Sequence, residues 1–401
     1  MVKRGVRKRG RDRVRMRPER IYLDDNASAP LREAAREAAA AALGIGNPSS
    51  VHEEGRSARR IVNDAREAVA ALAGVPASDV IFTSGASEAN AMALDPALKV
   101  DGSTVTHLLV SAIEHPSVFS GGRFAAEKRI VMDAGSDGVV TPETVEAAIA
   151  ALPEGAVPLV SVMAANNETG VVQPVVQIGV IVREAGGAFH CDGVQAAGRL
   201  DLATLTADAD MISLSGHKMG APTGVGALVL RGDRVSLGKP LIGGGGQERN
   251  KRAGTENVSG IAGFGAAARE AIQEEGLWRE IWTLRDWIET RIRAISPTAR
   301  IVGDQARRLP NTICVALDGV QSETAVIGFD LAGIAISAGS ACSSGKVGPS
   351  HVLEAMGLED GLKRAALRVS LTRQTTREEA EAFVAAWEKI CAPAGARRSA
   401  A

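Results

Sequence analysis

Short apolar runs that end in polar residues recur along the first two thirds of this chain. Val80-Ile-Phe82 runs into Thr83-Ser-Gly-Ala-Ser-Glu88, Val110 leads to Glu114-His-Pro116, and Pro158-Leu-Val-Ser-Val-Met163 leads to Asn166-Asn-Glu-Thr-Gly170. Ala188-Phe-His-Cys191 ends in Asp192, and Met211-Ile-Ser-Leu214 ends in Ser215-Gly-His-Lys218. Each run has strand length, and alanine-rich stretches with helical spacing, such as Arg32 to Leu43 and Ser57 to Ala73, lie among them. Strands alternating with helices predict an α/β fold with a mainly parallel, helix-covered sheet. A long helical pattern from about Gly260 to Ile295 leads into a second, smaller α+β domain. The expected division is a large domain over 28–275, a small domain from 21–27 plus 276–401, and a basic extension over 1–20. No internal repeat and no 18-residue apolar run interrupts this pattern.

In open α/β sheets, ligands bind beyond the carboxyl ends of the strands, so the polar residues there are candidates for one site. Lys218 is a candidate Schiff-base amine, although a lone lysine after a strand is ordinarily a solvated surface group. Asp192 is placed to keep a pyridine nitrogen protonated or, more simply, to cap a helix beginning near Gln195. Gln195 itself could reach a ring hydroxyl. The turn before Glu88 offers free N–H groups at Ala86 and Ser87, with the Ser87 hydroxyl, for a phosphate, though most such turns only cap helices. His115 stands just before Pro116, where a helix is expected to start, and could stack on a flat ring and titrate near neutrality. A lysine, an upstream carboxylate and a distant thiol, Cys342, together make the parts list for pyridoxal 5'-phosphate chemistry on a sulfur substrate.

The ordered series Tyr22-Leu-Asp-Asp-Asn-Ala-Ser-Ala-Pro30, Gly46-Asn-Pro-Ser-Ser50, Phe82-Thr-Ser-Gly-Ala-Ser-Glu88, Asn166-Asn-Glu-Thr-Gly170, Ser215-Gly-His-Lys218, Arg252-Ala-Gly-Thr-Glu-Asn257 and Ser337-Ala-Gly-Ser-Ala-Cys342 resembles that of cysteine desulfurases of the NifS and IscS kind. These belong to the class V aminotransferase group of fold-type I pyridoxal phosphate enzymes, whose large sheet is seven-stranded. The resemblance covers roughly residues 21 to 390. It implies Lys218 as the cofactor lysine, His115 as the stacking imidazole, Asp192 as the pyridine partner, and Gln195 and Asn167 near the ring hydroxyl. Ala86, Ser87, Ser215 and His217 match phosphate-binding positions, and Thr255 matches a threonine that reaches the phosphate from the other subunit of a homodimer. Arg368 matches the arginine for the substrate carboxylate, a role suited to a planar two-pronged donor, with Asn47 and Asn167 beside it. It also implies L-cysteine as substrate and Cys342 as the thiol that takes its sulfur and hands it to an acceptor protein, such as an iron–sulfur scaffold. Ser87 stands where threonine is common, and Asn-Ala-Ser-Ala-Pro replaces Asn-Ala-Thr-Thr-Pro; neither change removes a reacting group. A selenocysteine lyase or another class V enzyme would keep the same lysine and aspartate.

Four cysteines without a Cys-x-x-Cys pair point to a reduced, cytoplasmic setting rather than a disulfide framework, and no metal site is expected. Cys191 and Cys314, inside apolar runs, read as small core residues. Cys342 sits in the small-residue segment Ala338-Gly-Ser-Ala-Cys-Ser-Ser-Gly-Lys-Val-Gly-Pro349, which reads as a mobile loop, with Lys346 able to favour thiolate. The first 20 residues carry ten Lys/Arg against Asp12 and Glu19, whereas the whole chain is −1. Such a tail can bind nucleic acid or an anionic membrane. It lacks the serine content of a transit peptide and the apolar core of a secretion signal, so it reads as a minor extension with neither partner.

Overall fold

A computed structural model describes residues 20–339 and 350–392. Seven strands form the central sheet: Val80–Thr83 (β1), His107–Ser111 (β2), Arg129–Met132 (β3), Pro158–Ser161 (β4), Ala188–Asp192 (β5), Met211–Ser215 (β6) and Gly226–Leu230 (β7). Their order is β1-β7-β6-β5-β4-β2-β3. β2 to β6 pair in parallel; β7 runs antiparallel to both β6 and β1. Six of the seven are buried along their whole length, which is why they read as continuous apolar runs rather than alternating ones. Gly226 at the start of β7 is required by close approach: a Cβ there would lie 2.6 Å from the Leu214 carbonyl and 2.7 Å from Gly85. Without that approach the turn after β1 could not pack beside β7.

Helices Glu33–Ala42, Glu53–Ala73 and Val258–Ala271 pack together over one face of this sheet. The second of them starts four residues earlier than the alanine pattern suggests, because the His52 ring caps it by accepting from Gly55 N. The 260–295 pattern is two helices, Val258–Ala271 and Glu275–Ile295. Their break lets Glu274 turn back onto Arg32, which is 2% exposed and meets both its oxygens at 2.6 Å. The helix expected near Gln195 does not form. Residues 194–199 are turns, and Asp192 Oδ1 accepts from Val194 N at 3.0 Å.

A second core surrounds a four-stranded antiparallel sheet of Arg300–Ile301 (β8), Thr312–Ala316 (β9), Ser337–Ala338 (β10) and Ala366–Ser370 (β11), in the order β8-β9-β11-β10. Helices Glu275–Ile295 and Arg377–Ile390 cover it. The chain's few aromatics concentrate here. Phe329 and Phe383 stack at 5.3 Å, and Trp387, fully buried, donates its indole N–H to Ser296. Leu23 belongs to this core, and Ile21–Tyr22 pairs in parallel with Ile334–Ala335, so the segment leading to Ala27 is fixed between the two cores. Cys191, Cys314 and Cys391 are buried free thiols. Among the described residues, no helix is long and apolar enough to cross a membrane.

Candidate active site

The carboxyl ends of β1, β2, β4, β5 and β6 open into one cavity of about 810 Å³. It is lined by Ala86, Ser87, His115, Asn167, Asp192, Gln195, Ser215, His217, Lys218 and Arg368, among others. Ten positions singled out from sequence therefore meet in one place.

Lys218 lies in the short turn after β6. Its Nζ donates to the carbonyls of Asn26 at 2.6 Å and Ala27 at 2.9 Å, both on the segment between the cores. Burial, then the nearby Arg368 and Arg199 guanidinium groups, pull its pKa down to about 8. An amine so placed is partly neutral, hence nucleophilic, near physiological pH. Burial beside Lys218 also takes His217 down to about 4, so it is neutral there.

Asp192 is 5% exposed at the end of β5, and its second oxygen accepts from Asn90 Nδ2 at 2.9 Å. Below it, His190 is buried between the hydroxyls of Ser161 at 2.8 Å and Ser213 at 2.9 Å, and burial lowers it to about 4. That neutral imidazole fills the strand layer without adding charge beneath Asp192. His115 caps the Pro116–Phe119 turn by accepting from Ser117 N through Nδ1, which places its proton on Nε2 in the neutral ring. Burial lowers its pKa, with Asp192 pulling the other way. Helix Ala86–Ala93 begins inside the cavity, and its first-turn N–H groups at Ala86 and Ser87 have no intrahelical acceptor.

Arg368 comes from β11, in the other core. It is 3% exposed, donates from NH2 to Asp24 Oδ1 at 2.8 Å and from NH1 to the Asn167 carbonyl at 3.2 Å, and leaves its buried Nε unpaired. Asp24 also accepts from Ser337 Oγ at 2.8 Å. Gln195 is less available than expected. Its Nε2 donates to Asn26 O, and its Oε1 accepts from Arg199, which is itself clamped on Asp25.

Asn47 and Thr255 do not join the cavity of this chain. Both are exposed, and the Asn47 oxygen accepts from Ser49 N, two residues away. Cys342 lies outside the described residues. Sequence reasoning passed over Asp24, Asn26, Asn90, Glu168, Ser350 and His351. Asp24, Asn26 and Glu168 stood inside quoted motifs and could have been found from their charge or amide at a strand or segment end. Ser350 and His351 carried no such signal.

The free N–H groups at Ala86 and Ser87, the amine of Lys218, the carboxylate of Asp192 and the unpaired Arg368 Nε fit a phosphate-bearing pyridine aldehyde and a substrate carboxylate. The aminotransferase class-V family matches residues 21–383. The chain is 42% identical over 370 residues to a cysteine desulfurase of Cereibacter sphaeroides, covering 90% of this chain and 93% of that protein. It is 37% identical over 371 residues to the cysteine desulfurase NifS of Azotobacter vinelandii, covering 91% of this chain and 90% of that one. Among solved structures, the NifS-like protein from Rickettsia africae superposes with a TM-score of 0.82 at 32% identity, over 92% of this chain and 99% of that chain.

Proposed function

The chain belongs to the class-V aminotransferase family and is a pyridoxal phosphate-dependent cysteine desulfurase; on that premise we propose how its residues divide the reaction. The observation that carries the reading is Lys218 Nζ, with its pKa at about 8, in the same cavity as the half-satisfied Arg368 guanidinium.

When bound, the cofactor supplies an electron-withdrawing ring that stabilises charge at the substrate Cα. Ala86 and Ser87 hold its phosphate through their N–H groups, with Ser215 and His217 beside them. Asp192, which accepts from Val194 N and the Asn90 amide, would pair with the ring nitrogen. Lys218 would provide the amine that holds the cofactor aldehyde. With L-cysteine bound, Nζ would move protons at the substrate Cα, and the His115 imidazole lines the same cavity. Arg368 turns its unpaired Nε edge to the substrate carboxylate. The thiolate of Cys342 then attacks the substrate sulfur. An S–S bond forms, the Cβ–S bond breaks with its electron pair left on carbon, and protonation there gives alanine and a Cys342 persulfide. The persulfide passes to an acceptor protein, of the iron–sulfur scaffold kind.

The working form is a homodimer, in which Thr255 of one subunit reaches the phosphate site of the other. The exposure of Thr255 and of the apolar Leu43, Val51, Leu241 and Ile242 supports that reading, since apolar side chains left bare on one chain suit a subunit contact. Free buried thiols suit a cytoplasmic setting.

The test is Cys342→Ala. It should still bind the cofactor, and L-cysteine should still change its visible spectrum, while alanine release falls to background. Alanine release at the wild-type rate would overturn the persulfide route.

A further inference from the structure

Asp192 and His115 stand at the ends of different strands and are joined through two further side chains, Asn90 and Ser117. Asn90, in the helix Ala86–Ala93, is fully buried and lines the cavity. Its Nδ2 donates to Asp192 Oδ2 at 2.9 Å and to Ser117 Oγ at 2.9 Å, and that hydroxyl lies 2.8 Å from His115 Nδ1.

Counting donors and acceptors fixes the direction of every bond in this chain. The Ser117 N–H can only donate, and it reaches His115 Nδ1 at 3.2 Å, so in the neutral ring Nδ1 is bare. The Ser117 hydroxyl then gives its proton to Nδ1 and receives from Asn90. Asp192 also receives, at Oδ1 from Val194 N and at Oδ2 from Asn90. Both ends therefore require the nitrogen of the Asn90 amide, and both its hydrogens are spent. Asn90 Oδ1 is left buried with no partner among the described residues. Buried amides ordinarily satisfy both ends, so one kept with its acceptor idle is there for its two donors.

The consequence lies at His115. A hydroxyl can turn either way, and Asn90 decides which, because an amide N–H leaves the Ser117 proton nothing to meet but Nδ1. With its one ring lone pair spent there, His115 can donate from Nε2 but cannot take a proton at that atom. An imidazolium would set an Nδ1–H against the Ser117 N–H. Burial opposes the charged ring as well, Asp192 favours it, and Lys218 and His351 oppose it.

We propose that Asn90 is a positioning residue that acts through the Ser117 hydroxyl to keep the His115 proton on Nε2. The imidazole then serves the cavity as a hydrogen-bond donor, and proton removal from the substrate falls to Lys218. This division of labour rests on the desulfurase reading of the site.

The test is an NMR titration of the holoenzyme labelled with 13C and 15N in histidine only, with the His115 signals assigned by their loss in His115→Gln. Wild type should show Nδ1 as a bare nitrogen and Nε2 as a protonated one. Asn90→Asp is near-isosteric, and a carboxyl in either protonation state offers the Ser117 hydroxyl an acceptor. The hydroxyl then turns from Nδ1, and the proton affinity of His115 should rise at least about tenfold. Ser117→Ala deletes the hydroxyl but keeps its N–H, and should raise that affinity about threefold. In the Ser117→Ala background, Asn90→Asp should add at least about threefold less than it does in wild type. The proposal falls if either single variant leaves the His115 titration unchanged, or if Asn90→Asp has the same effect with and without the hydroxyl. The two variants bear on the hydroxyl from its two sides, so failure of one to fold leaves the other decisive. The titration is read without turnover, so a holoenzyme that released no alanine from L-cysteine would defeat the desulfurase reading and leave this result standing.

Discussion

The two sides of the cavity are built by different means. On the large-sheet side, Lys218, Asp192 and His115 stand at or just beyond the ends of buried strands, and sequence neighbours hold two of them, Val194 N on Asp192 and Ser117 N on His115, while the Lys218 amine reaches the Asn26 and Ala27 carbonyls. On the other side, Asp24, Asn167, Ser337 and Arg368 come from four segments: Ser337 and Arg368 are partners on adjacent strands and Asp24 bridges to Ser370 of the Arg368 strand, while the Ser337 hydroxyl, the Asp24 carboxylate, the Arg368 guanidinium and the Asn167 carbonyl meet through side-chain contacts. The strand side carries its reacting groups at strand ends. On the opposite wall the strands set the residues side by side, and a run of side-chain contacts from Ser337 through Asp24 to Arg368 sets the guanidinium, so its aim depends on each member.

That contrast predicts all-or-none damage on the strand side and graded damage on the wall. Lys218→Ala removes the amine held on the Asn26 and Ala27 carbonyls, and no other lysine lines the cavity among the described residues. Alanine release from L-cysteine should fall by at least about a thousandfold, with loss of the cofactor's lysine-bound visible band. Retained turnover would erase the distinction between the two sides.

The same contrast explains what was legible in the sequence. A strand announces itself by an apolar run, and the polar residue after it is carried to the sheet edge, so Lys218, Asp192, His115 and Ser87 could be read directly. Less was legible where position depends on distant partners. Gln195 sits in a turn instead of a helix, with its amide taken by Arg199, a residue whose own place is set by Asp25 more than 170 positions away. The break at Ile272 answers to Arg32, not to a local glycine or proline. Asn47 and Thr255 rest on motif alone, Thr255 as a residue for the other subunit's site, and neither lines the cavity within one chain. Glu168 and Ser350 form a pair 182 residues apart, which no local pattern encodes.

Arg368→Lys tests the wall at its centre. One ammonium cannot hold Asp24 and the Asn167 carbonyl and still present a planar edge, so substrate affinity should suffer more than the chemistry. The expected result is a KM for L-cysteine raised by about tenfold to a hundredfold, with kcat lowered much less. A loss confined to kcat would mean that Arg368 acts on the reacting atoms and not on the carboxylate.

Ser337→Ala should give the smallest effect and probe the idea of mutual support most directly. The Ser337 hydroxyl bonds neither Lys218 nor the Arg368 guanidinium, although Ser337 and Arg368 are strand partners; it donates to Asp24 Oδ2, while Asp24 Oδ1 receives Arg368. Without that hydroxyl, Asp24 keeps its ion pair but loses the donor that fixes its carboxylate plane, and the guanidinium it steers gains freedom. A lost hydrogen bond to a charged group costs about 1.5–3 kcal/mol when the acceptor stays dry. Asp24 is 16% exposed at its side chain, so water can replace part of it, and a KM increase of about threefold to tenfold is expected. The discriminating measurement is a double-mutant cycle of Ser337→Ala with Arg368→Lys on KM. If the serine acts through the arginine, the double variant should resemble Arg368→Lys alone, because a lysine no longer presents the edge that Ser337 helps to aim. If the two effects multiply instead, Ser337 works independently of Arg368, and the wall is a set of separate contacts.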